Sequence, residues 1–241
     1  MNPLPFLILE TGRPVPSLRR LGPFTHWIRV AAGLSARDTA VCPVLDDAHL
    51  PDPKRYAGVF VTGSAAMVTE HLPWSERSAE WLREAHAHGL PLFGICYGHQ
   101  LLAHAFGGEV GYNPRGREMG TVPVRLTPEA GRDPLFSALP SELPAHTTHL
   151  QTVLAPPKDA VVLAQSERDD CQAFRIGSQT WGVQFHPEFS AQMMRGYIRA
   201  RGEDLRREGS CPHGLAREVR PAPKAREVLR RFVRHAHQRH A

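Results

Sequence analysis

Short apolar runs alternate with longer amphipathic stretches along the first hundred residues. Residues 5–9, 40–45, 58–62 and 91–96 are rich in β-branched or aromatic side chains and are bounded by Gly, Pro or charge. They read as buried strands. A helix is predicted from about 75 to 88, with Glu76 in its first turn, Gly89 after its last residue and Pro91 forbidding continuation. A second helix begins at Tyr97 and stops at Gly107-Gly108. Such alternation predicts a mostly parallel sheet with helices on both faces. Residues 121–126, 161–165, 171–176 and 181–185 come with turns and little helical pattern between them. They predict antiparallel hairpins that feed one strand back to the main sheet. Helical patterning resumes over 190–207 and 225–237, with Met194, Tyr197 and Ile198 on one face and Val228, Leu229 and Phe232 on another. No linker or repeat divides the 241 residues, so one domain spanning 1–241 is expected, its helical C-terminal region included.

Composition narrows the class. With 41% hydrophobic and 22% charged residues the chain is globular. No apolar run approaches the roughly 20 residues that span a bilayer, and no secretory signal is visible, so no membrane association is expected. The four cysteines form no CxxC pair, which argues against a zinc ribbon or a disulfide scaffold and points to the cytoplasm. The net charge of +5 is concentrated after residue 190, where 13 basic residues face 5 acids. Interleaved acids and scarce aromatics there read as a solvated helical surface rather than a nucleic-acid interface. His235, His237 and His240 have no Cys or acid at ligand spacing, and neither a phosphate loop nor a GxGxxG fingerprint is present. No metal or cofactor is expected.

The chemistry concentrates in two short segments. Gly94-Ile95-Cys96-Tyr97-Gly98-His99-Gln100 joins an apolar strand to a helix, with small residues two before and two after the cysteine. That is the layout of a nucleophile elbow, and the helix N-terminus favours a thiolate. His186-Pro187-Glu188 follows another predicted strand, and in extended chain residues i and i+2 project to the same side. The carboxylate can therefore orient the imidazole as the acid of a triad does. Cys42, Cys171 and Cys211 lack this context and read as structural or incidental, and Trp74, Trp81 and Trp181 read as packing residues.

These two segments, GICYGHQ and QFHPEF, resemble the class I glutamine amidotransferases of the Cys-His-Glu type, over about residues 4 to 189. The resemblance implies a flavodoxin-like three-layer αβα sandwich with antiparallel hairpin additions. It implies Cys96 as nucleophile, His186 as general base and then acid, Glu188 as its orienter, and an oxyanion hole from the N–H groups of Gly63 and Tyr97. It also implies substrate contacts from Gln100 and from the segment carrying His149 and Gln151. Many members have Gly-Gly-Pro at the oxyanion loop, whereas this chain has Thr62-Gly63-Ser64. The implied activity is hydrolysis of a γ-glutamyl amide through a cysteine thioester. Its small-molecule substrate is glutamine, with ammonia passing to a separate synthetase subunit; in the alternative the chain is a free-standing hydrolase of γ-glutamyl amines or peptides. A regulatory homologue without turnover is the third possibility. Cysteine-elbow chaperones and deglycases on a similar fold typically have a histidine directly after the cysteine, where this chain has Tyr97.

Overall fold

The computed structural model describes residues 4–46 and 49–239. Its centre is a nine-stranded sheet. Strands β1 (Phe6–Glu10), β2 (Thr39–Pro43), β3 (Gly58–Val61) and β4 (Leu92–Ile95) form its parallel half in the order β2-β1-β3-β4. A ladder of antiparallel strands continues it on the far side of β4. There β6 (Glu118–Leu126), β7 (Glu142–His149), β9 (Ala160–Gln165), β10 (Ala173–Ile176) and β11 (Thr180–Val183) complete the order as β11-β10-β9-β6-β7. The strand that returns to the main sheet is β11, which pairs parallel with β4, Val183 opposite Ile95. Two further strands, β5 (Glu109–Tyr112) and β8 (Gln151–Ala155), form a separate antiparallel pair.

Seven α-helices surround these sheets among the described residues: α1 (Phe24–Ala32), α2 (Pro73–Ala87), α3 (Tyr97–Ala105), α4 (Ala191–Ala200), α5 (Gly202–Arg207), α6 (Pro212–Glu218) and α7 (Pro223–Gln238). The strand period of two sorts side chains onto opposite faces of the sheet. Phe6, Ile8, Phe60 and Phe93 share a cluster with Ile28 of α1 and Phe232 of α7. Leu7, Leu9, Val59 and Leu92 share another with Leu82 of α2 and Leu101 of α3. The parallel strands are thus apolar on both faces, as a sheet covered twice requires. Phe232 is fully buried against Phe6, Phe60, Phe93 and Trp181, and burying such a ring contributes about 2–3 kcal/mol. The basic C-terminal region therefore hides an apolar stripe beneath its charged face.

Several elements differ from the sequence expectation. The helix expected over 190–207 divides at Arg201, so that α4 and α5 are separate. Helix α6 and strands β5, β7 and β8 carry no clear signal in the sequence, whereas α1, also outside the expectation, has Phe24, Trp27, Ile28, Ala31 and Ala32 recurring at helical spacing before Gly33. Strand β7 buries Thr147 and His149 on the face of Leu143 and Ala145 and His146 on the other face, so polar residues occupy buried positions and the alternation of hydropathy vanishes. No helix among the described residues is long and apolar enough to cross a membrane. His240 lies outside the described residues.

Candidate active site

Cys96 stands between β4 and α3, where the chain must turn sharply from strand to helix. Its φ of 53° and ψ of −102° are conformations that a side-chain-bearing residue adopts only under constraint. The constraint comes from both neighbouring glycines. A Cβ on Gly94 would lie 2.3 Å from the Gly98 carbonyl oxygen, and a Cβ on Gly98 would lie 2.5 Å from that of Val61. Only glycine lets β4, α3 and β3 approach this closely. The Cys96 N–H donates to Val183 of β11 at 2.8 Å, and its carbonyl accepts from Gln100 in α3 at 3.1 Å.

The bend after β11 delivers His186 and Glu188 to the same place. His186 Nδ1 donates to Glu188 Oε1 at 2.8 Å; the imidazole is 4% exposed and the carboxylate is fully buried. The ring also stacks on Phe189, with centroids 4.1 Å apart, and its main-chain N–H donates to the His146 carbonyl at 2.7 Å. Carboxylate, stacked ring and main-chain bond together fix the imidazole, leaving the buried Nε2 as the nitrogen available to Cys96. Burial alone would lower the His186 pKa, but the charges of Glu188 and Cys96 outweigh it and push it up to about 10. Burial likewise opposes the Cys96 thiolate, yet His186, with His149 beyond it, holds the thiol below its ordinary range. Cys42 and Cys171 go the other way, their thiols raised by burial. An imidazolium–thiolate pair is the favoured state of Cys96 and His186.

Gly63 follows β3 and faces this pair: a Cβ there would lie 3.2 Å from His186 Cε1 and 3.8 Å from Cys96 Cβ. The main-chain N–H groups of Gly63 and Tyr97 donate to no main-chain acceptor among the described residues, so both donors remain open. Cys96, Tyr97, Gln100, His149, Gln151 and His186 all line one cleft of about 350 Å³. Arg13, Arg19, Arg117 and Arg201 stand around it as well. Arg117 is held by two nitrogens to Glu208, whereas no acid within ion-pair distance answers Arg13 or Arg19 among the described residues.

The three residues expected to meet substrate are in the cleft wall, but they are largely committed to one another. Gln100 Nε2 donates to the Gln151 carbonyl at 2.7 Å and to Gln184 Oε1 at 2.8 Å, so its amide nitrogen is spent. Gln151 Nε2 donates to Thr69 Oγ1 at 2.6 Å, leaving its Oε1 buried and unpaired. His149 Nδ1 donates to the Gln151 carbonyl at 2.9 Å and Nε2 to Glu118 Oε2 at 3.1 Å. Acceptors at both nitrogens require a doubly protonated ring. Burial opposes that charge, but Glu118 and Asp169 raise the His149 pKa, and Glu118, despite its own burial, is lowered in return. Residues 149–153 are accordingly the end of β7 and the start of β8 rather than a loop.

Sequence reasoning missed Glu118 and Asp169, which stand against His149, and Ser166 and Gln172, which bond Glu118. Ser166 Oγ and Gln172 Nε2 both donate to Glu118 at 2.6 Å, and Asp169 Oδ2 lies 3.7 Å from His149 Nε2. No motif joins them, since Glu118 and His149 sit on β6 and β7 and the other three lie between β9 and β10. A buried-side glutamate within an otherwise alternating strand is the one local signal that could have drawn attention.

Several known proteins are similar to this chain. The chain is 35% identical over 162 residues to the gamma-glutamyl-L-1-hydroxyisopropylamide hydrolase of a Pseudomonas species, covering 64% of this chain and 55% of that one. It is 32% identical over 120 residues to a glutamine-hydrolysing GMP synthase subunit of Methanopyrus kandleri, covering 47% and 63% respectively. It therefore spans less than two-thirds of the length of either relative. The fold of a crystallised glutamine amido transferase from Methylobacillus flagellatus superimposes with a TM-score of 0.79 at 24% identity, over 97% of this chain and 96% of that one. That likeness concerns the α/β fold alone. The profile of the class-I glutamine amidotransferases matches residues 23–201, from α1 through α4, and the chain belongs to that family.

Proposed function

We propose that the chain hydrolyses a γ-glutamyl amide, with Cys96 as nucleophile, His186 as proton carrier and Glu188 as the residue that orients it. The carrying observation is the placement of a strained, buried cysteine beside an imidazole whose far nitrogen is held 2.8 Å from a buried carboxylate. Cys96 Sγ attacks the amide carbon, and the oxygen takes up negative charge between the N–H groups of Gly63 and Tyr97. His186 gives its Nε2 proton to the departing amine, so that the C–N bond breaks and a γ-glutamyl thioester remains. Water then gives a proton to His186 and attacks the thioester. Collapse releases glutamate and restores the thiolate–imidazolium pair. The charged His149 ring, engaged at both nitrogens, acts on the thiolate through its field and shapes the wall for the glutamyl group.

Two identities of the departing amine are in view. In one, ammonia leaves glutamine and passes to a synthetase on a separate polypeptide, in keeping with a relative named as part of a GMP synthase. In the other, a larger amine or a peptide leaves. The cleft has room for the second. At about 350 Å³ it lies in the roughly 300–1,000 Å³ range of clefts that take drug-sized ligands and offers more room than free glutamine needs. A relative named as a γ-glutamyl amide hydrolase agrees with it.

The experiment measures amine release by the purified chain from glutamine, a γ-glutamyl alkylamide and a γ-glutamyl dipeptide. Turnover of any of these that vanishes in Cys96→Ala supports γ-glutamyl hydrolysis, and turnover unchanged in Cys96→Ala overturns it. A kcat/KM for the alkylamide or dipeptide at least about tenfold above that for glutamine selects the larger leaving group. The reverse order selects ammonia.

A further inference from the structure

Away from the cleft, three side chains with metal-binding donors converge at the surface. His71 Nδ1 lies 3.0 Å from Glu76 Oε1, and His104 Nε2 lies 3.1 and 3.0 Å from Glu76 Oε1 and Oε2. One donor atom from each residue falls within 4.8 Å of the other two, and the imidazole rings are 5.2 Å apart at 62°. The residues come from separate places. His71 ends the short turn Val68–Glu70, Glu76 is in the first turn of α2, and His104 is in the last turn of α3. Separations of 5 and 28 residues make no motif, so no metal is expected here from sequence. The γ-glutamyl chemistry makes no use of any of the three.

We propose that His71, Glu76 and His104 form a binding site for a divalent first-row transition ion of the zinc type, with water completing its coordination. Zinc takes imidazole nitrogen at about 2.0–2.1 Å and carboxylate oxygen at about 2.0–2.2 Å. A tetrahedron with those bonds sets its donors roughly 3.3 Å apart, so the two histidine–Glu76 spacings need only a slight expansion, and the His71–His104 spacing, within 4.8 Å, closes by at most about 1.5 Å to admit the ion. Two imidazoles with one carboxylate suit zinc, cobalt or copper, and disfavour magnesium and calcium, which prefer all-oxygen sets. In the metal-free chain Glu76 accepts a proton-bearing nitrogen from each ring. On binding, each neutral ring moves its proton to its other nitrogen and coordinates through the one that now faces Glu76.

Partial exposure gives the ion an entry path: the side chains of His71, Glu76 and His104 are 60%, 41% and 25% exposed. The site would also reach the cleft. Ser64, Ala65, Ala66 and Met67 line the cleft, and Thr69 accepts from Gln151. An ion held at His71 ties this segment to α3, whose first residue follows Cys96.

The test titrates the Cys96→Ala chain, in which the Cys96–His186 pair can no longer compete for metal, with zinc chloride by calorimetry and with cobalt chloride by visible absorption. One ion per chain is expected, with cobalt d–d bands, no thiolate-to-cobalt charge-transfer band, and slowed amide exchange over residues 66–72. His71→Asn, which tolerates the left-handed backbone found there (φ 46°), and His104→Gln should each weaken binding at least about tenfold. His235→Gln should leave it unchanged. Circular dichroism of the metal-free variants checks their fold. Zinc binding of equal strength in the His71→Asn/His104→Gln chain, a thiolate band with cobalt, or no binding at all would overturn the proposal. None of these outcomes depends on turnover, so the metal site and the hydrolase reading stand or fall separately.

Discussion

The hydroxyl of Thr11 donates to the main-chain carbonyl of Thr62 at 2.8 Å, deep under the cleft, while the Thr11 N–H donates to the Thr62 hydroxyl at 3.0 Å. This clasp joins the end of β1 to the end of β3. In a trans peptide the carbonyl and the following N–H point in opposite directions, so anchoring the Thr62 carbonyl on Thr11 turns the Gly63 N–H away from it. The Thr62-Gly63-Ser64 loop is thus held by two threonines. A Cβ on Gly12 would lie 2.7 Å from Ser64 Cα, which keeps the two loops in close contact.

Replacing Thr11 by Val removes the hydroxyl at nearly constant volume. The folded chain is expected to lose about 1–2 kcal/mol. Turnover should fall by about ten- to a hundredfold with KM much less affected, because a misdirected oxyanion donor costs transition-state binding first. Steady-state kinetics on a γ-glutamyl anilide with a parallel urea melt checks this. Thr11→Ser, which keeps the clasp, should stay near wild type.

The thiolate of Cys96 exists above its lowered pKa and disappears as pH falls through it. Alkylation of Cys96 by iodoacetamide should therefore persist to lower pH than alkylation of an ordinary thiol and decline as pH falls through the lowered value. In Glu188→Gln the imidazolium loses its charged partner and the thiolate loses its cation. The profile is expected to move to higher pH, with the rate at pH 7 falling about tenfold for each unit moved. Mass mapping should find Cys96 modified well before Cys42 or Cys171, whose thiols burial holds high.

Gly94→Ala should cost about 3 kcal/mol or more, since its methyl would sit 2.3 Å from a main-chain oxygen that belongs to the elbow itself. Gly33→Ala, with open space around its Cβ, meets only the strain of its φ of 78° and should cost less. Chemical denaturation of both variants orders the two effects.

The pair of His149 and Glu118 predicts a pH window. His149 is raised above 6.5, so its contribution is complete below about that pH and is lost as pH rises through the folded value. Glu118 is lowered below 4.5, so its contribution is complete above about that pH and is lost as pH falls through the folded value. Both act together between pH 4.5 and 6.5. Glu118→Gln should destabilise by about 3 kcal/mol near pH 6, and the gap from wild type should narrow at alkaline pH. Thermal melts at the two pH values test the sign.

The parallel half of the fold and the elbow are legible in the chain because they rest on local rules. Strands β1, β3 and β4 are continuous apolar runs, since a doubly covered sheet wants nothing else, and Gly94, Cys96 and Gly98 must sit at fixed offsets for the turn to close. His186 and Glu188 are legible for the same reason, being two residues apart in extended chain. What the tertiary structure alone decided are the polar relationships between distant segments. The Thr11–Thr62 clasp spans 51 positions and the Glu118–His149 pair spans 31. Folding brings His71 and Glu76 to His104 across the α2–α3 contact. A buried hydrogen bond leaves no periodicity behind, and a strand such as β7, which buries two histidines and a threonine along with Leu143 and Ala145, erases the alternation by which strands are read. Hydrophobic burial is encoded position by position, whereas the satisfaction of a buried polar group depends on whichever segment folding brings to meet it.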